Sequence, residues 1–103
     1  MNVHALDELT YDLEVDGELV RRTLATRVWE SRGWATVLMV FEERGTDGWK
    51  AAKTIVIRFR RSGDGWKKAS AITLPGAHAL AIAGELEKHR GKLADDDADD
   101  DAP

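Results

Sequence analysis

The chain has 103 residues, 43% of them hydrophobic and 33% charged, with a net charge of −4 and no cysteine. That length suits one domain with a single modest core. The lack of cysteine excludes disulfides, thiolate metal sites and cysteine nucleophiles, and fits a reducing compartment.

The net charge conceals a segregation. Residues 1–18 carry six acids and no Lys or Arg, residues 19–92 carry all 15 Lys and Arg against seven acids, and residues 95–101 add six aspartates. A basic middle between acidic ends points to a polyanion partner, where the averaged charge would argue against one. The plainer alternative is a surface that mixes charge for solubility.

The N-terminus has neither a positive region nor an apolar run, so no signal peptide is expected. The longest apolar stretch, Val37–Phe41, is far too short for a membrane span. A soluble, cytoplasmic protein is expected, nucleoid-associated if bacterial, with no membrane partner. An acidic segment over 1–17 includes a short stretch, Leu9–Val15, turned by Asp16-Gly17, that would add an edge strand. Four longer segments rich in β-branched and aromatic residues follow: Glu18–Trp29, Trp34–Arg44, Lys50–Arg61 and Trp66–Leu74. The linkers Ser31–Gly33, Gly45–Gly48 and Ser62–Gly65 suit tight hairpins. After Leu74-Pro75-Gly76 the apolar period becomes helical through Ala79, Ile82, Ala83, Leu86 and Leu93, predicting one helix over 77–91. The predicted architecture is therefore α+β, a four-stranded antiparallel meander followed by one helix (ββββα), occupying residues 18–93. The tail over 94–103 is low-complexity and expected to be disordered.

Alternate strand residues face opposite ways, so parity sorts them. Ile55, Ile57 and Phe59 on the third strand, Ile72 and Leu74 on the fourth, and Val20, Leu24 and Val28 on the first are expected to form a core beneath the helix. The opposite face then collects Arg21, Arg27, Trp29, Lys50, Thr54, Arg58, Arg60, Lys67 and Thr73. Lys68 adjoins this set, and Trp34 sits where a ligand or a second subunit could cover it. The second strand is apolar on both sides (Val37, Met39 and Phe41 against Leu38 and Val40), which predicts a homodimer. Trp66 and Trp49 share core parity and are expected to cap strand ends, leaving Trp29 and Trp34 as stacking platforms.

Thr54–Leu86 contains a "V-x-I-x-x-R" strand, a turn, the pair Lys67-Lys68 and Ile72-Thr-Leu74 before the helix. With the strands ahead of it, this stretch resembles the superfamily of single-stranded-nucleic-acid-binding domains that includes Whirly proteins, PUR domains and the transcriptional positive cofactor family. The resemblance implies a dimer whose sheets form the nucleic-acid surface, with Arg58, Arg60, Lys67 and Lys68 carried over by position. The chain departs from that pattern in lacking a basic, serine-rich N-terminal arm and in adding an acidic tail. The tail is similar to the acidic end of bacterial single-stranded-DNA-binding proteins, without their hydrophobic terminal residues. Six aspartates there would either compete with nucleic acid for the basic middle or serve solubility alone.

The expected function is non-enzymatic binding of single-stranded DNA or RNA, as a transcriptional regulator or nucleoid-associated factor. The competing expectation is a homodimeric protein-interaction module with no nucleic-acid ligand. No catalytic residue, metal site or cofactor is expected. His4, His78 and His89 belong to no nucleophile or metal motif, and His78 and His89 are about 16 Å apart along a helix.

Overall fold

Two pairs of residues, Asp16-Gly17 and Arg32-Gly33, hold positive φ in succession in the computed structural model, at 53° and 82° and at 52° and 83°. Such turns have a twist that matches the strands they join, so each sets a tight hairpin. Asp16-Gly17 joins β2 (Leu13–Val15) to β3 (Glu18–Ser31), and Arg32-Gly33 joins β3 to β4 (Trp34–Gly45). The chain continues through β5 (Gly48–Trp49), β6 (Lys53–Ser62) and β7 (Gly65–Pro75), then α1 (Gly76–Lys88) and α2 (Arg90–Leu93). A two-residue β1 (Asn2–Val3) lies beside the start of β7. The structure describes residues 2–3 and 5–93; His4 and the tail 94–103 lie outside the described residues.

The sheet order is β1-β7-β6-β4-β3-β2, with β5 beside β4, and every pairing is antiparallel. The four long strands are the expected meander, and β2 is the expected edge strand, shortened to Leu13–Val15. The small strands β1 and β5 were not foreseen.

One sheet face is buried at its centre. Ala35, Val37, Met39 and Phe41 of β4 lie against Ile55, Ile57 and Phe59 of β6, with Trp66 closing one end. The cover over this core corrects the sequence expectation, because it is not the helix. The 3-10 turn Leu6–Glu8 presses Leu6 into the cluster, and Leu9 and Tyr11 pack behind it. Tyr11 meets Phe41 edge to face, ring centroids 4.8 Å apart. Its N–H donates to Thr23 Oγ1 at 2.7 Å, and the Thr23 N–H donates to Asp12 Oδ1 at 2.7 Å, tying the segment to β3.

Helix α1 lies over the other face. It borders Val40, Thr54, Val56 and Leu74 with Ala79 and Leu80. Gly76 begins it hard against β6's approach: a Cβ there would sit 2.7 Å from the Ala52 carbonyl oxygen.

Two bulges overturn the parity expected for β3 and β7. Register slips between Thr23 and Ala25 of β3, so Leu24 lacks a partner and stands about half exposed. It slips again where Arg58 faces Ser70 but Phe59 faces Lys68, leaving Ala69 over. One extra residue inverts every side chain beyond it. Ile72 and Leu74 therefore share a face with Val56 and Thr54, and Thr73 pairs with Ile55 on the core side. Arg21 and Thr23 likewise turn to the core side, opposite Glu43 and Phe41.

Candidate nucleic-acid interface

Reading the registers across β3, β4, β6 and β7 resolves the helix-bearing face into four rows. Ala25, Val40, Thr54 and Leu74 form one row, and Arg27, Leu38, Val56 and Ile72 the next. Trp29, Thr36, Arg58 and Ser70 form the third, and Ser31, Trp34, Arg60 and Lys67 the fourth. The face thus divides into an apolar half beside α1 and an aromatic, cationic half beyond it. Each row spans about 14 Å at ~4.8 Å between strands.

In the cationic half the side chains hold one another in place. Arg58 Nη1 donates to Thr36 Oγ1 at 2.8 Å, and its guanidinium carbon lies 4.9 Å from the Trp34 ring centroid. Arg60 stands 5.8 Å from the same ring, and Arg27 lies 5.5 Å from the centroid of Trp29. Cations stacked on an indole keep their charge while losing freedom, which readies them for a ligand. Trp29 remains 50% exposed, enough to offer a ring edge and part of a face.

Where the acids go decides what these cations are for. Arg21 and Lys53 share Glu43, Arg22 pairs with Glu42 at 2.7 Å, and Arg44 reaches Glu18 at 3.8 Å. The Lys53 ammonium, with Arg21 beside it, holds the Glu43 carboxyl below its ordinary value against the opposing pull of desolvation. Among the described residues no carboxylate lies within ion-pair distance of Arg27, Arg60, Arg61, Lys67 or Lys68. The neutralised cations thus gather toward β2 and β5, while Arg60, Arg61, Lys67 and Lys68 lie together at the β6–β7 end. There Arg60, Arg61, Ser62, Lys67, Lys68 and Ala69 surround an open hollow of about 490 Å³.

Arg27, Trp29, Trp34, Arg58, Arg60 and Lys67 are thus brought together on one face, as expected from parity. Thr54 shares that face but sits beneath α1, its hydroxyl directed at the Leu74 carbonyl oxygen at 3.4 Å. Lys68 has the core-side register yet borders the same basic hollow. The remaining expected residues are placed elsewhere. Arg21 lies over the Tyr11 ring at 4.2 Å on the core side, and Thr73 is turned there by the bulge. Lys50 follows β5, its N–H donating to the Glu43 carbonyl oxygen at 2.8 Å, away from the four rows. Of the other tryptophans, Trp66 is buried in the core and Trp49 is half-buried beneath Arg22 at 4.0 Å.

Sequence reasoning missed Thr36, whose even parity on β4 was the available signal, and Arg61 and Ser62, which only the hairpin brings beside Lys67. Among the described residues no group of acidic or histidine side chains is arranged to hold a metal, and no helix is long and apolar enough to cross a membrane. Comparison with protein families, curated proteins and solved structures returns no match.

Proposed function

We propose that this protein binds single-stranded DNA or RNA without catalysing a reaction, the strand crossing the two rows built on Trp29 and Trp34. One observation carries the reading: Arg27 and Arg60, with no carboxylate within ion-pair distance among the described residues, stand beside two tryptophans on one open face. Phosphates engage Arg27, Arg58, Arg60 and Lys67, with Lys68 and Arg61 continuing the charge around the hairpin. Bases stack on Trp29 and on the outward guanidinium planes, each stack contributing about 1–3 kcal/mol whatever the base. Kinship to the Whirly, PUR and positive cofactor group belongs to the same proposal, as does a role in transcription or nucleoid organisation.

A single strand suits this surface better than a duplex. The usable face is two rows deep and bounded on one side by α1, and no helix or ribbon projects from it to enter a major groove. The test is titration of the full chain with fluorescent single-stranded and duplex oligonucleotides, following tryptophan emission. Quenching by single strands at micromolar protein or below, with weaker duplex binding, is expected. Equal affinity for both forms without quenching would mean charge alone is being read.

A further inference from the structure

The apolar half of the same face is unfinished. No residue of α1 is buried; Leu80 is 76% exposed and Leu86 52%, and Ile72 of β7 beside them is 55% exposed. A helix of this length is stable only when its apolar stripe is covered. The Cα radius of gyration, 15.6 Å, also exceeds the about 13 Å of a compact chain of 100 residues.

The β7 edge beside that patch is open too. Its ladder to β1 consists of Asn2 with Lys67 and Val3 with Trp66, and among the described residues no strand pairs its outer side from Lys68 to Leu74. Natural edges are guarded by lysine, proline or a bulge. Here Lys67, Lys68 and the bulge at Ala69 guard one end and Pro75 the other. Ser70–Leu74 between them has no charge and no guard.

We infer that a second copy of the chain completes this surface, the two β7 edges pairing antiparallel about a two-fold axis with the α1 helices meeting over Ile72. A two-fold brings the same patch to itself, so the patch must tolerate itself. Ser70–Leu74 does, because it carries no charge to repel its copy, and antiparallel pairing is the sense a two-fold imposes on a strand. The size fits a modest interface. The helix pair α1–α2 is about 27 Å long and ~10 Å wide, and the adjoining strip of three strands adds a similar footprint. Together they give roughly 500 Å² per protomer, at the lower end of specific interfaces, whose standard size is ~800 Å² per partner.

The inference is tested without nucleic acid, so its outcome is separate from that of the binding proposal. Sedimentation of the full chain should give twice the 11.4 kDa chain mass. Leu80→Glu combined with Leu86→Glu, and separately Ile72→Lys, should halve that mass with the far-ultraviolet spectrum unchanged, since all three side chains are exposed in the protomer. The chain has no cysteine, so Ala71→Cys should be joined into a dimer by a short bis-maleimide, whereas Glu14→Cys, exposed on the opposite edge strand β2, should not. This pair remains informative if a charged variant fails to fold. A wild-type mass of one chain at about 100 µM would overturn the inference, and so would a dimer that none of these changes affects.

Discussion

Arg58 and Thr36 face each other from β6 and β4, the guanidinium donating to the threonine hydroxyl at 2.8 Å while lying 4.9 Å from the Trp34 ring. Threonine anchors the arginine, and tryptophan limits its swing. Thr36→Val keeps the shape and removes the acceptor, so Arg58 loses this hydrogen bond and is held less firmly. Hydrogen bonds to charged groups are worth about 1.5–3 kcal/mol. Affinity for a single-stranded oligonucleotide should fall roughly 10-fold, measured by anisotropy, with the salt slope unchanged because no charge is lost.

Trp29 is half exposed and contributes nothing to the buried cluster, so Trp29→Ala should leave the melting temperature within about 2 °C of wild type. Its loss should still weaken binding by the ~1–3 kcal/mol of one base stack. A variant that melts much earlier yet binds normally would make this tryptophan structural.

Leu6 is the plug of the core, and no helix or strand replaces it. Leu6→Ala should cost about 2–5 kcal/mol. At ~4–8 °C per kcal/mol for a domain of this size, the melting temperature should drop by roughly 10 °C or more, read by calorimetry. An unchanged melting temperature would contradict the placement of the N-terminal segment over the sheet.

Glu43 gives the stability a pH dependence. Its folded-state carboxyl titrates below the ordinary 4.5, because Lys53 and Arg21 hold it ionised. The unfolded chain therefore binds the proton more readily, so this contribution is present above pH 4.5 and lost as pH falls through the lower folded value. In Glu43→Gln the fall in stability below that pH should be shallower than in wild type, as measured by urea denaturation at several pH values.

Much of this arrangement was legible in the residues, and the failures have definite causes. Alternation through Ile55, Ile57 and Phe59, and the Gly17 and Gly33 turns, placed the long strands within a few residues of where they lie. Arg58 and Arg60 sit on β6, whose parity runs unbroken, so their face could be read directly. The bulges at Leu24 and Ala69 carry no glycine or other mark, and they alone moved Arg21 and Thr73 to the core side. The cover supplied by Leu6, Leu9 and Tyr11 was hidden because a 3-10 turn has no long period, and its acidic neighbours read as solvent-facing. The helix was consequently assigned the face that the N-terminal segment holds.

The central claim is that Arg27, Arg60 and Lys67, which have no carboxylate within ion-pair distance among the described residues, bind phosphate together with Arg58. The most direct measurement is the affinity of wild type and of Arg60→Glu combined with Lys67→Glu for one labelled single strand, across about 50 to 200 mM salt. Four phosphate contacts on a single strand predict a wild-type slope of about −3 in log K against log salt. The double variant, folded by circular dichroism because both side chains are exposed, should bind at least about 100-fold more weakly with a slope reduced to about half. Equal affinities and slopes for the two proteins, or no binding by wild type at micromolar concentration in about 50 mM salt, would contradict the account.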